Sequence, residues 1–200
     1  MKITKTQLKD WNACRDGYEW FLRRFPEGEA EYQDVLNALA ENDRTDDAHW
    51  LMNHAGPDAQ AVLEIEVLAG YKHLFVAGSL VVKKGGSVTA WLRAGRSIVA
   101  GEGIVAGEGI RAGRGIEAGR GIGTGRSIVA GEGIKAGEGI RAGWGIEAGE
   151  GMGVFAGLCV CVNQWSLYAQ VIASAKPKNL ISGVWVEPII EINRKHDNHV

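Results

Sequence analysis

Apolar residues recur every six positions through the middle of the chain: Leu74, Leu80, Leu92, Ile98, Ile104, Ile110, Ile116, Ile122, Ile128, Ile134, Ile140, Ile146, Met152 and Leu158, with Gly86 interrupting the series. A second series runs two residues behind: Val76, Val82 and Val88, then alanine from Ala94 to Ala148 except at Thr124, then Val154 and Val160. Glycine follows at every step from Gly95 to Gly149, so the unit reads G-I-x-A-G-x. Positions two apart on a strand face the same side, so the isoleucine and alanine point inward together and x points out. A strand this short buries nothing alone, whereas stacked coils share backbone hydrogen bonds and one continuous core. The pattern predicts a β-solenoid over residues 57–162. Two units make a flat coil of about twelve residues and three a triangular coil of about eighteen, and the periodicity serves both. A longer echo is superposed: SIVAGE at 97–102 returns at 127–132, as if five units were duplicated together.

Residues 1–56 follow a helical rhythm. A first helix is expected over Thr6–Cys14 with Thr6 as its cap. A second carries Tyr18, Phe21, Leu22 and Phe25 and ends at Pro26 and Gly28. A third, Glu29–Glu41, sets Tyr32, Val35, Leu36 and Leu39 on one face, and a fourth follows Thr45 with Trp50 and Leu51 inward. Between residues 57 and 90, AVLEIEVLAG and HLFVAGSLVV read as strands, and Lys83-Lys84-Gly85-Gly86 reads as a turn. After residue 163 the six-residue rule stops. SLYAQVIASA and LISGVWVEPIIEI read as longer strands over 163–192, forming either a cap on the solenoid or a dimer interface, with a polar tail at 193–200. Trp165, Tyr168, Trp185 and Ile189-Ile190 are the candidate interface residues. The fold class is therefore mainly β: a short-coil parallel β-helix with a small helical N-terminal domain and a β segment after it.

Composition narrows the setting. The 29 glycines lie mostly in the repeat, without the every-third-residue spacing or proline content of collagen. Net charge is −2, which disfavours direct nucleic-acid binding. Residues 1–56 hold 11 acidic and 7 basic residues. No apolar run follows the first lysines and none reaches membrane-spanning length, and three cysteines make no disulfide framework. These features lead us to expect a cytoplasmic protein without membrane contact.

Chemistry-bearing motifs are scarce. No phosphate-binding loop and no H-E-x-x-H occurs, and the repeat accounts for every G-x-G. Cys159-x-Cys161 offers two ligands where tetrahedral zinc takes four, and His49, His54 and His73 lie far upstream. The two thiols are expected on the outer face or against the C-terminal segment. His196 and His199 fall in the polar tail. We expect no cofactor, no metal and no catalytic residue. A dispersed active site would need polar groups such as Asp46, Asp47 and His54 at the junction of the two domains, although these residues also suit a helix N-terminus.

The outward positions carry more information. From 91 to 157 they hold 8 basic and 7 acidic residues, a mixture suited to solubility and stacked ion pairs rather than to a phosphate track. Trp144 replaces a charge on one such row. It is either a contact anchor or packed under the helices or the C-terminal strands. Arg111 and Arg141 occupy equivalent places in the repeat and join Trp144, Trp165, Tyr168 and Trp185 as candidate protein-contact residues.

The units GIVAGE and GIRAGR resemble the hexapeptide repeats of parallel β-helices. One such family is the left-handed acyltransferases, although alanine two after isoleucine departs from their pattern and no histidine lies between Gly85 and Val160 to serve as their base. The repeat also resembles bactofilin-like proteins, whose short coils polymerise end to end. It is more distantly similar to pentapeptide-repeat proteins, whose period is five. ACRDGYEWFLRRFPEG, residues 13–28, resembles an opening module of phage and prophage proteins. Taken together, the residues and resemblances imply a non-catalytic protein-binding protein. Its expected partner is a host or defence protein, which a mobile element would inhibit, or a second copy of itself in a homodimer. A self-assembling structural protein and an enzyme with a junction site are the alternatives.

Overall fold

The computed structural model describes residues 1–188. The chain begins with a helical domain. Helix α1 spans Lys5–Asp10, α2 Arg15–Arg24, α3 Tyr32–Glu41 and α4 Thr45–Ala55. Helix α1 starts and ends earlier than its sequence suggests. Thr4, not Thr6, is its cap, accepting from the Gln7 amide while the Gln7 side chain reaches back to the Thr4 amide, so two orphan donors are satisfied reciprocally. Asn12 and Asp43, at φ of 57° and 54°, turn the chain out of α1 and α3; short polar side chains tolerate that left-handed conformation. Glu29–Glu31 is a strand, not the first turn of α3, and pairs antiparallel with Lys2–Thr4. Leu8, Phe21, Tyr32, Val35, Leu36, Leu39, Leu51 and Met52 fill the space between the helices.

From Val62 to Val186 the chain winds as a parallel β-solenoid with three sheets of five, seven and six strands. Ile98 pairs with Ile116 and Ile116 with Ile134, and alanine stacks on alanine in the same way. The repeat distance is therefore eighteen residues, which is three units per coil. The isoleucines from Ile98 to Ile140 are at most 2% exposed. Burying each side chain is worth roughly 1.5–3 kcal/mol, repeated at every unit without a break from Ile98 to Ile146. Coils are tied by hydrogen bonds such as Ile116 N to Gly133 O at 3.1 Å and Gly119 N to Ala100 O at 3.0 Å. At the gap in the isoleucine row, Gly86 has φ of 140° and the backbone of Leu68 crosses beside it. The buried Leu68 supplies the missing apolar side chain.

Thr124 takes an alanine place at 7% exposure, and its hydroxyl finds no hydrogen-bond partner. A buried hydroxyl without a partner costs about 1–3 kcal/mol. Thr124→Val is therefore expected to raise stability by about 1 kcal/mol, read as a higher urea midpoint; an unchanged or lower midpoint would show that the hydroxyl is satisfied.

The repeat loses phase after Ala148. Ile134 pairs with Val154, not Met152, because two residues enter the turn at Glu150-Gly151. Met152 and Leu158, expected inside, are 45% and 56% exposed, and Val160 is half-buried. Ile140 pairs with Val171, thirty-one positions on instead of eighteen. The extra chain leaves the coil as an excursion carrying a 3-10 turn, Val162–Gln164, and a short helix α5, Trp165–Tyr168. The long strands expected after residue 163 are three short ones, Gln170–Ile172, Leu180–Ser182 and Val184–Val186. They extend the seven- and six-stranded sheets in parallel, so this segment forms the last coils of the solenoid itself. Ile189, Ile190 and the polar tail lie outside the described residues.

Candidate functional site

Three surfaces bring chemistry-bearing residues together. The first is the seam between the domains. The outward row of the five-stranded sheet runs Phe75, Arg93, Arg111, Val129, Glu147. The helical domain covers its first members. Phe75 is 1% exposed within the helical core, and Gln33 donates to Phe75 O at 2.7 Å and accepts from Ala77 N at 2.9 Å. Arg93, at 8% exposure, donates to His49 O at 3.1 Å and to Asn53 Oδ1 at 2.6 Å, and its Nη1 lies 3.0 Å from His49 Nδ1. No carboxylate pairs with Arg93 among the described residues. Burial, reinforced by the charge of Arg111, pulls its pKa down to about 10. Burial and then the Arg93 charge push His49 down to about 4, so its ring is neutral at pH 7. The neutral ring accepts at Nδ1 and stands edge-on to Phe75 and Trp91, at centroid distances of 5.3 and 4.9 Å. Tyr32 Oη is buried nearby without a partner, and burial drives its pKa far up. The residues sequence reasoning offered for this junction lie elsewhere. Asp46 and Asp47 line a cleft inside the helical domain, and His54 lies tilted against Trp50, with ring centroids 4.3 Å apart.

The second surface is the six-stranded face. Its outward row is Ser87, Val105, Gly123, Arg141, Ile172, Val186. Helix α5 stands beside this row and walls a groove of about 510 Å³ lined by Val105, Gly123, Arg141, Leu167, Tyr168 and Gln170, among others. Gly123 leaves the floor low between Val105 and Arg141. Leu167 and Tyr168 remain 67% and 54% exposed. The wall is seated by Trp165, whose indole lies against Gly157 at φ of 80°, where any Cβ would collide with the Trp165 ring and Ala169.

The six predicted contact residues thus separate. Arg141 and Tyr168 meet in the groove. Trp165 holds the wall, and Trp185 is half-buried, donating to Ala173 O at 3.3 Å. Arg111 is exposed on the five-stranded face. Trp144 is 61% exposed at the corner between the six- and five-stranded sheets, packed under neither domain, with Arg126 over its ring at 5.2 Å. Arg126 in turn approaches Glu108 one coil back, at 3.9 Å. Cys159 and Cys161 are both exposed on the excursion. No cluster of three or more potential metal ligands occurs among the described residues.

The third surface, which the sequence reading missed, is a cleft of about 370 Å³ within the helical domain. Leu8, Phe21, Val35, Leu39 and Leu51 line it, with Trp20 and Trp50, and Asn12, Cys14, Asp46 and Asp47 complete the lining. Gly17, in the first turn of α2, has no side chain to occupy the space between Cys14 Sγ and Asp47 Oδ1. Beside the cleft, Arg44 bridges Asp16 on α2 and Asp47 on α4 at 2.6 and 2.5 Å and stacks on Trp20. A glycine three residues before Trp20 in a helical pattern was the available signal.

No helix among the described residues is long and apolar enough to cross a membrane. No solved structure matches the chain. Over 55 residues the chain is 42% identical to the uncharacterized protein YdhT of Escherichia coli (strain K12), a match covering 28% of this chain and 20% of that protein. The helical domain, residues 1–55, matches the model of the YdhT N-terminal domain.

Proposed function

We propose that this chain is a non-catalytic protein-binding protein whose solenoid presents the groove between Arg141 and the wall formed by α5. The carrying observation is the excursion itself. It is the largest interruption of a uniform ladder, and it holds Leu167 and Tyr168 in water beside a cationic side chain. Aromatic and arginine side chains are the usual anchors of protein contacts. The partner class we favour is a host or defence protein, bound by an accessory protein of a mobile element; the support is the resemblance of residues 13–28 to phage and prophage opening modules. A second reading, self-assembly through the solenoid end, has its own support. The last described strands lie at the sheet edges, and a parallel edge is a template for another strand.

The test is capture from a bacterial lysate on the tagged full chain, with mass spectrometry and size analysis. A stoichiometric partner that survives salt, is lost on Arg141→Glu with Tyr168→Ala, and persists on Arg111→Glu is the expected result. A partner indifferent to the groove variants, or recovery of long concentration-dependent assemblies alone, refutes the groove.

A further inference from the structure

We infer that the cleft of the helical domain is a binding site for a small organic cation with an apolar, ring-sized body. Its lining is apolar and walled by two indoles, and its volume of about 370 Å³ lies at the small end of ligand pockets. That size suits one compact molecule and is too small for a folded surface.

The polar groups of the lining set the sign of the ligand. Asp47 is paired with Arg44, which also holds Asp16. Asp46 lines the same cleft, is exposed, and makes no ion pair among the described residues. The cleft therefore carries a net negative charge, with Asp46 the carboxylate that has no ion-pair partner among the described residues, in a domain with 11 acidic and 7 basic residues. Trp20 already receives a guanidinium on its face, 5.3 Å from the ring, whereas among the described residues no lysine or arginine stands over Trp50, which the His54 ring packs against at 4.3 Å. An amine that enters with its apolar body among Phe21, Val35 and Leu51 brings its charge to Asp46, and the carboxylate attracts it.

Gly17 forms part of the cleft wall. It lies in the first turn of α2, its amide donating to Cys14 Sγ at 3.3 Å. Its φ is not in the left-handed region, so the backbone does not require glycine there. A Cβ would meet Cys14 Sγ at 3.3 Å and Asp47 Oδ1 at 3.4 Å, so a larger side chain would fill the cleft from its wall. This site does not depend on the solenoid groove, and the two can fail separately.

The probes are phenethylamine, 2-phenylethanol and 3-phenylpropionate, titrated into the full chain while the indole N–H resonances of the 7 tryptophans are followed by NMR. Saturable shifts at Trp20 and Trp50 with phenethylamine are expected, with a Kd of about 1 mM or tighter. The alcohol should bind more weakly and the acid most weakly. Asp46→Asn leaves the cleft intact and should weaken the amine roughly fivefold while sparing the alcohol. Gly17→Leu, checked for fold by circular dichroism, should abolish both. The site is overturned if the amine binds no tighter than the acid, if its shifts do not saturate, or if they centre on Trp144 or Trp185. Asp46→Asn keeps the test decisive should Gly17→Leu not fold, because indifference of the amine to that change also overturns the site.

Discussion

Gly119→Ala is expected to cost about 3 kcal/mol or more, while Gly115→Ser, four residues away, is expected to change stability by less than about 0.5 kcal/mol. Most units hold two glycines, in different circumstances. The glycine after alanine lies against the coil below: a Cβ on Gly119 would sit well under 3.0 Å from the carbonyl oxygen of Gly101, and the same holds from Gly95 to Gly149. The atom it would strike is backbone, already engaged in the ladder, so relief requires that two coils separate. The glycine before isoleucine is looser at several units, although Gly109 lies against the Trp91 ring. A Cβ on Gly115 would meet only Gly133 O, at 3.4 Å, and one on Gly145 would meet nothing. The chain already places serine there, at Ser97 and Ser127, and never departs from glycine at the other position between Gly95 and Gly149. Urea midpoints of the two variants beside wild type are the measurement. Equal midpoints would mean that coils move apart at little cost, contrary to the close packing described.

The seam is the second sensitive point. Arg93→Ala removes the donors to His49 O and Asn53 Oδ1 and leaves a cavity against Phe75 and Trp91. A loss of about 3 kcal/mol is expected. Arg93→Leu, which fills the space, should lose less, since a buried charge without a counter-ion carries a large desolvation cost. His49 adds a pH dependence. Its folded pKa, about 4, lies below the unfolded value of 6.5, so on acidification the unfolded chain takes up the proton first. The stabilisation is full above about pH 6.5 and is lost as the pH falls towards about 4. Discounted for the ring's partial exposure, the loss is on the order of 1–2 kcal/mol. Arg93→Ala also deletes the charge that stands second to burial in depressing His49, so the slope of stability between about pH 6.5 and 4 should flatten. Denaturant titrations at several pH values, on wild type and Arg93→Ala, read both effects. A wild-type slope retained in full by Arg93→Ala refutes the coupling.

The solenoid was legible because each unit repeats one local solution and stacks on a copy of itself. The coil size was not, since twelve and eighteen residues both place isoleucine on isoleucine; only the pairing of Ile98 with Ile116 decides it. Met152 and Leu158 misled because a two-residue insertion at a turn leaves the composition unchanged and shifts everything after it. Arg93 reads as one more outward charge, identical in pattern to Arg111, and is buried only because a separate domain lies over that part of the row. Trp20 and Trp50 read as ordinary helix-core residues. That they border a cleft depends on the volume Gly17 withholds and on how four helices meet, neither of which a periodicity expresses.

Three units per coil also bears on how such a chain changes over generations. The echo between 97–102 and 127–132 copies five units, which is one full coil and two thirds of the next. Inside, every unit is interchangeable, so the duplication lengthens the rod without disturbing its interior. Outside, it deals the same residues to another wall: Val99 faces out from the seven-stranded sheet and its copy Val129 from the five-stranded, and Arg111 on the five-stranded sheet recurs as Arg141 on the six-stranded. Recombination in steps that are not a multiple of three units keeps the core and reshuffles the surface, so one accident of copying supplies both a longer protein and a new arrangement of charges.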